Sequence, residues 1–382
     1  MATVSTMNSS DLFTQEDINN TLKAINKNIN PLWSLLLASG RVDQVQSTDI
    51  AWFTKNSRPS TARLGADITD VATTLTVDDE DFGVVEQIIR IDDELLKVTA
   101  VSGTPAITLT VTRGFGGTTA TAHTTGTQVK FNGFDLPEDS DAIQGKMVKQ
   151  KKYTNITQPV MEQFELTETA KAVLPQGTSN KKALALELVS TMETLQGQIE
   201  NAIVSGVKFD SGNTRRMAGL ESIVEDNGIV KQINGDLTFE AIDEACRDLA
   251  YAGAKARLKS GMYYLVAPLA QIPKINALNQ NIVDSSGNAI QRISRTQDEI
   301  LGTEILQIRT SAGTIKVLEV DSMTESKVGI FDIEELRLKA LVPVSMKNLA
   351  LTGLVDKYML HGEYSIEVGK PTLQLLMTGL TV

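Results

Sequence analysis

The stretch Ile88-Ile-Arg-Ile-Asp-Asp-Glu-Leu-Leu-Lys-Val-Thr99, followed by Ile107-Thr-Leu-Thr-Val-Thr112, decides the fold class. Apolar and polar residues alternate along each run, and Gly, Asp or Pro closes the runs, as in short antiparallel strands. Leu75-Thr-Val77 before them and Thr127-Gln-Val-Lys-Phe131 after them repeat the pattern, and no helix of useful length fits between. The sequence therefore predicts a small all-β unit over residues 64–131 of an otherwise mixed chain.

A long amphipathic helix follows this β unit. Apolar residues recur every three or four positions over 180–205, which is the pattern of one helix face. These residues are Leu184, Leu188, Met192, Leu195, Ile199 and Ile203. We expect Ser179 to be the N-cap and Gly206 to adopt the left-handed conformation after the helix ends. At about 1.5 Å per residue the helix would be roughly 40 Å long, which suits a scaffold across a flat subunit.

The rest of the chain after this helix predicts an α+β region. A second helix begins at Thr238, a good N-cap residue, and ends at Gly253, and Tyr263–Ala267 is an apolar run typical of a buried strand. A third helix is expected over Leu269–Asn279, followed by a polar loop over 280–300. The expected strands beyond this loop are Ile305–Ile308, Thr314–Val320, Lys327–Phe331, Leu336–Val344 and Tyr358–Val368.

The segments around the β unit indicate an arm and a long loop. The first thirty residues are polar, and Asn30-Pro-Leu-Trp-Ser-Leu-Leu-Leu37 then forms a compact apolar anchor in which Trp33 and Leu36 are the expected contacts. Polar stretches at Thr54–Ser60 and Gly133–Asp141 flank the β unit on both sides. Such flanks are typical of a domain that is inserted into a loop.

Length, charge and cysteine content limit the possible functions. A chain of 382 residues is expected to form two or three compact regions. The net charge of −11 argues against a protein that grips nucleic acid, because that affinity comes largely from Lys and Arg. Cys246 is the only cysteine, which fits a reducing compartment such as a cytoplasm. No run of eighteen apolar residues exists, so we expect no membrane-spanning helix and no membrane partner.

The sequence contains no catalytic or cofactor-binding motif that we interpret as functional. Arg113-Gly-Phe-Gly-Gly-Thr-Thr119 contains glycines but lacks the sixth-position glycine of a dinucleotide loop and the Gly-Lys-Ser/Thr of a P-loop. Tight turns between strands are the better interpretation. Cys246 lies on an apolar helix stripe and is expected to pack as a small hydrophobic residue. We therefore predict no cofactor and no enzymatic activity.

Metal sites are equally unsupported by residue spacing. The two histidines, His123 and His361, are far apart, and we expect His123 to hydrogen-bond locally to backbone. The acidic run at Asp78–Asp81 would place Ile89 at the twelfth position of a calcium loop, where Glu is required. This run, like those at 92–94 and 138–141, is better interpreted as a solvated turn between strands.

Basic residues cluster before the extended segment and again after the long helix. The stretch with Lys146, Lys149, Lys151 and Lys152 could touch phosphate or pair with acidic neighbours. Arg215 and Arg216 raise the same two alternatives. We favour salt bridges between subunits, because large interfaces use complementary charge to set register.

Four motifs give the chain a family resemblance. They are Asn30–Leu37, Asn155-Ile-Thr-Gln-Pro-Val-Met-Glu-Gln-Phe-Glu-Leu-Thr-Glu-Thr-Ala170, Arg215-Arg-Met-Ala-Gly-Leu220 and Gly353-Leu-Val-Asp-Lys-Tyr-Met-Leu-His-Gly-Glu-Tyr-Ser-Ile-Glu-Val368. Each resembles an element of tailed-bacteriophage major head proteins with the Hong Kong 97-type fold. The resemblance is to the group that carries a β domain in the extended loop. The β module alone also occurs in other phage structural proteins, whereas its position between arm and long helix is specific.

The resemblance implies an organisation into named parts. These are an N-terminal arm (1–43), an extended loop (44–63 and 132–153), an inserted β domain (64–131), a peripheral domain (154–210 and 321–382) with the spine helix 180–205, and an axial domain (211–320). Subunit contacts are expected at Trp33, Leu36, Trp52, Arg58, Lys149, Lys151, Lys152, Arg215 and Arg216.

The implied function is a major capsid protein that assembles as hexamers and pentamers into an icosahedral shell around phage double-stranded DNA. Decoration, scaffolding and portal proteins are possible partners, DNA would lie close to the shell without specific binding, and assembly would occur in the bacterial cytoplasm. The alternatives are a tail or baseplate protein and an encapsulin-type shell protein, which would hold protein cargo rather than DNA. An enzyme is the remaining class, and no motif supports it.

Overall fold

The computed structural model describes residues 30–55, 59–79, 81–103, 107–135, 150–167, 180–278, 293–300, 303–349 and 355–381. The helices of these ranges are α1 Pro31–Ala38, α2 Asn180–Ser205, α3 Leu220–Asn227, α4 Phe239–Leu249, α5 Lys255–Lys259 and α6 Ile272–Ala277. Within the described part of the chain, no helix is both long and apolar enough to cross a lipid bilayer.

The strands fall into two groups along the sequence. Those of the first half are β1 Val42–Gln44, β2 Asp49–Thr54, β3 Thr61–Arg63, β4 Thr74–Val77, β5 Gln87–Ile91, β6 Glu94–Ser102, β7 Ile107–Thr112, β8 Gln128–Phe134, β9 Lys151–Ile156 and β10 Gln158–Thr167. Those of the second half are β11 Phe209–Ser211, β12 Thr214–Arg216, β13 Ile229–Gly235, β14 Tyr263–Ala267, β15 Ile293–Ile300, β16 Thr303–Arg309, β17 Thr314–Glu319, β18 Val328–Asp332, β19 Leu336–Asn348, β20 Val355–Val368 and β21 Leu375–Leu380.

The long helix α2 packs with α1 and a four-stranded sheet. The sheet has the order β1-β19-β20-β10, and α2 contacts both β10 and β20. Leu195, Ile199 and Ile203 of α2 are fully buried, as their spacing on one helix face predicts. The predicted helix over 180–205 is confirmed, and it belongs to one hydrophobic core that also contains α1.

A seven-stranded mixed sheet forms a second core. Its order is β13-β21-β18-β14-β17-β16-β15, and β14 is buried along its whole length between β18 and β17. Strands β18 and β21 come from residues beyond 320. The predicted border between an axial region ending at 320 and a region starting at 321 is therefore wrong, because hydrogen bonds to β14 and β13 draw both later strands into this sheet.

Residues 61–134 form a closed six-stranded barrel. The strand order is β3-β8-β5-β6-β7-β4. The first and last strands also meet, since Leu64 bridges Val77 and the Gly65 N–H donates to the Thr76 carbonyl at 2.9 Å. Closure leaves no open edge that could pair with another chain. The barrel has its own apolar core: Ala62, Leu64, Ile68, Leu75, Val77, Phe82, Ile89, Ile91, Leu96, Val98, Ile107, Leu109, Val111 and Val129.

Three local predictions need correction. Gly206 does not adopt the left-handed conformation; it is needed because a Cβ there would lie 2.3 Å from the Ala202 carbonyl oxygen and 2.9 Å from that of Met217. Residues 293–300 form strand β15 rather than a loop, paired with β16 despite their polar sequence. The third helix is limited to Ile272–Ala277, whereas the N-cap at Thr238 is confirmed, with its side chain accepting from the Ala241 N–H.

Candidate assembly surfaces

Strands β2 and β9 form a two-stranded ribbon with one buried and one exposed face. Residues directly opposite each other in an antiparallel pair share a face. Trp52 stands opposite Tyr153 on the buried face, where their rings stack with centroids 6.0 Å apart. Phe53 stands opposite Lys152 on the other face, and 63% of the Phe53 surface is exposed. A large exposed aromatic side chain beside a cation is a candidate contact for another chain.

The predicted contact residues of the ribbon therefore divide between two roles. Trp52 is buried against Tyr153 within its own chain. Lys151 is exposed and its ammonium group lies 5.3 Å from the Tyr153 ring centroid, a cation–π contact. Lys152 is on the exposed face, and no cation–π contact is found for it among the described residues. Arg58 and Lys149 lie outside the described residues.

Asn155 fixes the base of the ribbon to the body of the protein. Its Oδ1 accepts from the Ala218 N–H at 2.9 Å, while its Nδ2 donates to the carbonyls of Ala218 at 3.0 Å and Ile366 at 2.9 Å. The side chain is buried, and this pattern satisfies both ends of the amide. The ribbon consequently leaves the body in a defined direction.

A buried carboxylate at the same base accounts for one of the two predicted arginines. Glu363 accepts from the Thr157 hydroxyl at 2.5 Å and from an Arg215 guanidinium nitrogen at 2.7 Å. Arg215 is thus engaged within its own chain. Arg216 is exposed, opposite the exposed Phe209 in the β11–β12 hairpin, and it remains a candidate for contact with another subunit.

The anchor helix α1 is part of the subunit core. Trp33 is 4% exposed and meets the Tyr364 ring edge-on at 5.2 Å, and Leu36 is 0% exposed. In this conformation Leu36 has no surface left for a neighbouring subunit, so the prediction that it contacts one needs correction. Both side chains instead attach the segment that follows residue 30 to α2 and the four-stranded sheet.

A charged cluster in the barrel was not foreseen from sequence. The buried carboxylate of Glu94 accepts two hydrogen bonds from Arg113, both at 2.7 Å, and also accepts from the N–H groups of Gly114 and Thr121. Burial alone would raise the pKa of Glu94, but these bonds and one with His123 lower it to about 2. Glu94 is therefore not part of a solvated turn, although it follows a true turn at Asp92, where φ is +52°.

The same cluster changes the interpretation of two other motifs. The side chain of His123 lies 3.0 Å from Asp92 and 3.1 Å from Glu94, so its ring binds carboxylates rather than backbone. Arg113 also donates to the carbonyls of Thr69, Ala72 and Thr121 and so ties several loops together at one end of the barrel. The glycines after it adopt positive φ, which supports the interpretation of the run as turns.

Arg63 connects the barrel to helix α4 and the residues that follow it. A guanidinium nitrogen of Arg63 lies 3.2 Å from Asp248, and Arg63 also stands over the Tyr251 ring at 5.7 Å. Lys231 of β13 binds the second oxygen of Asp248 at 3.3 Å. Arg63, Asp248 and Tyr251 border a polar cleft of about 920 Å³. Partly exposed ion pairs of this kind are weak, on the order of 0.2–1 kcal/mol each.

The described residues offer no arrangement for metal chemistry. Across the ranges given above, no group of three or more His, Cys, Asp or Glu residues is placed to hold a metal ion. Cys246 is buried, and this burial raises the pKa of its thiol to about 12, so it packs as an apolar side chain.

Two solved capsid structures share the fold of this chain. The capsid protein of a native GTA particle is 8% identical with a TM-score of 0.54, and the match covers 100% of both chains. The capsid protein of cyanophage A-1(L) is 10% identical with a TM-score of 0.55, covering 99% of this chain and 100% of the other. At such identities the likeness shows the fold alone. A search of curated proteins finds no match.

The fold is that of the Hong Kong 97-like capsid proteins, a class of proteins that build shells. The chain belongs to the SU10 major capsid protein family, whose model matches residues 4–381. It is a bacteriophage major capsid protein that assembles into the multimeric shell of the virion, and its role is structural rather than enzymatic. The predicted fold class, function and absence of enzymatic activity are confirmed, and the tail or baseplate alternative is not supported.

Proposed function

We propose that the chain tiles an icosahedral head as hexamers and pentamers around double-stranded DNA, and that the β2–β9 ribbon grips the adjacent subunit. The exposed face of the ribbon supports this most directly. Phe53 and Lys152 form a pair of one apolar and one cationic side chain that the described residues leave exposed. A closed shell of identical chains supplies a neighbour for every such patch.

Rigidity at the base of the ribbon supports the same role. Asn155 makes four hydrogen bonds at the point where the ribbon joins the body, including one from its own neighbour Ile156 at 2.9 Å. A contact surface held in advance in one orientation loses less conformational entropy when it binds. The ribbon is therefore suited to bind in one register rather than to adapt to many.

The net charge of the chain supports the proposal that the shell encloses DNA without binding it tightly. A net charge of −11 provides no excess of Lys and Arg to neutralise phosphates, so packaged DNA would not be trapped on the shell. The nucleic-acid content of purified particles tests this proposal, and particles that hold protein cargo instead of DNA would contradict it. Scaffolding, portal and decoration proteins, and assembly in the host cytoplasm, belong to this proposal.

The barrel has a separate proposed role as reinforcement. We propose that it is a domain inserted in the extended loop and that it projects outward to touch neighbouring barrels or a decoration protein. Its closed edges prevent uncontrolled strand pairing with other copies, and its own core keeps it folded while it projects. Contacts between barrels, or between a barrel and a decoration protein, would then stabilise the shell without covalent crosslinks.

The ribbon proposal is tested by Phe53→Ser, with Val71→Ser as the matched control. Val71 is 78% exposed on a barrel loop, so both changes remove an exposed apolar side chain and leave the core intact. We expect Phe53→Ser subunits to fold normally by circular dichroism but to form few shells in sedimentation and negative-stain microscopy. Val71→Ser subunits should assemble. Normal shell yield from Phe53→Ser would contradict the proposed contact.

A further inference from the structure

Glu200 is a buried carboxylate for which the shell-forming role gives no reason. It lies on the core side of α2 with 1% of its surface exposed, and neither carboxylate oxygen makes a hydrogen bond of normal geometry. The polar groups that favour its ionised form are the backbone N–H groups of Trp33 and Leu32, in the first turn of the eight-residue helix α1. An uncompensated buried carboxylate is costly when it is ionised.

The charged groups around Glu200 do not relieve this cost. Helix α1 contains no ionisable side chain. Beyond the end of β17, Asp321 repels the Glu200 carboxylate, and Glu319 on the same segment is also acidic. On α3, Glu221 is already bound to Lys327 at 2.9 Å. No described lysine or arginine pairs with Glu200, so the positive end of the α1 dipole is its main compensation.

We propose that docking of helix α1 on helix α2 takes up a proton at Glu200, so that pH sets how firmly the N-terminal segment is held. While α1 is docked, Glu200 is shielded from water by α1 and the surrounding core. When α1 leaves, the carboxylate becomes hydrated and ionises freely. The junction between these two helices is thus a proton-sensitive attachment point, independent of what the ribbon contacts.

The direction of the effect follows from linkage. Burial raises the pKa of Glu200 to about 7, with the N–H groups of α1 partly opposing it and Asp321 adding to it, against an ordinary value of 4.5. A carboxyl with a raised pKa favours the docked state fully below pH 4.5, and this advantage is lost as the pH rises to about 7. Over that window the docking equilibrium should weaken by up to about tenfold per pH unit.

Hydrogen exchange of the full-length protein tests the proposal. Protection of the α1 amides, corrected for the intrinsic pH dependence of exchange, should fall on the order of a hundredfold between pH 5 and 7 and then level off. Glu200→Gln cannot ionise and should remove this fall. Glu187→Gln, at an exposed position of the same helix, should behave like the parent. The amides of β14 serve as a reference for global opening.

A second variant keeps the test decisive if Glu200→Gln does not fold. Asp321→Asn removes the repulsion on Glu200, so the pH at which α1 protection levels off should move to lower values. Three outcomes overturn the proposal: protection of α1 that does not depend on pH in the parent, the same dependence in Glu200→Gln, or an unmoved or higher midpoint in Asp321→Asn.

Discussion

The side-chain amide of Asn155 pairs with the backbone of Ala218 as a second strand would, donating to its carbonyl at 3.0 Å and accepting from its N–H at 2.9 Å. A third bond runs to the carbonyl of Ile366 in β20. One buried side chain therefore joins the ribbon, the segment before α3 and the four-stranded sheet. The position requires a group that donates on one side and accepts on the other, which only an amide of this length provides.

Substitution of Asn155 by Asp should destabilise the subunit. A carboxylate cannot donate to the carbonyls of Ala218 and Ile366, and it would bring a buried charge next to both oxygens. We expect a loss of about 3 kcal/mol or more in the free energy of unfolding. Chemical denaturation of unassembled subunits measures it. Asn201→Asp, on the exposed face of α2, is the control and should change stability by less than about 0.5 kcal/mol.

Gly206→Ala should also be damaging, for a steric reason. Gly206 and Gly219 approach closely enough that the Gly219 N–H donates to the Gly206 carbonyl at 2.8 Å. A Cβ on Gly206 would lie 2.3 Å from the Ala202 carbonyl oxygen, which is backbone and cannot move away cheaply. We expect a loss of more than about 2 kcal/mol. Gly235→Ala has open space and an ordinary φ, so an equal loss there would show that the close approach is not the cause.

The Glu94 cluster predicts sensitivity of the barrel to acid. The pKa of Glu94 is lowered to about 2, from an ordinary value of 4.5, so its contribution to stability is present above pH 4.5 and is lost as the pH falls toward 2. We expect a contribution of about 2 kcal/mol, since solvent near the cluster screens part of the effect. Hydrogen exchange of β6 and β7 amides at pH 5 and pH 3 measures it.

The matched variants for this prediction are Glu94→Gln and Glu86→Gln. Glu94→Gln should lower β6 and β7 protection at pH 5 and reduce the difference between the two pH values. Glu86 is paired with Lys97 at 2.7 Å on the exposed surface, so its replacement should leave the acid response in place. An unchanged acid response in Glu94→Gln would mean that other carboxylates control the barrel.

Removal of the barrel tests its proposed reinforcing role. Replacing residues 64–131 by a short linker should leave the other cores intact, because the barrel has an apolar core of its own. The weak contacts of Arg63 with Asp248 and Tyr251 lie outside the replaced residues. We expect shells to form but to break at a lower temperature, as followed by light scattering and microscopy. Unchanged heat resistance would rule out reinforcement by the barrel.

Local patterns in the sequence predicted the regular elements well. The helix at Asn180–Ser205 and the N-cap at Thr238 follow from spacing and capping chemistry, which depend only on nearby residues. The strands of the barrel follow from alternation, since one face of each strand is buried. The family motifs then identified the class of fold, which neither spacing nor composition specifies.

Relationships between distant residues could not be predicted in this way. The pairing of β21 with β13, the barrel closure at Leu64 and Val77, and the burial of Glu94 each depend on groups that come together only in the folded chain. The same reason explains why Leu36 and Arg215 were predicted to contact other subunits. Both have an intrachain partner that lies far away in sequence. Lys152 and Arg216 are exposed, and the prediction that they contact another subunit stays a prediction.

The most direct test of the account is a cryo-electron microscopy reconstruction of assembled shells. We predict that Phe53 and Lys152 of every ribbon lie against an adjacent subunit, with the Phe53 ring buried there and the Asn155–Ala218 bonds unchanged. A shell in which the Phe53 face of the ribbon points into solvent throughout would contradict the claim that this ribbon joins the subunits.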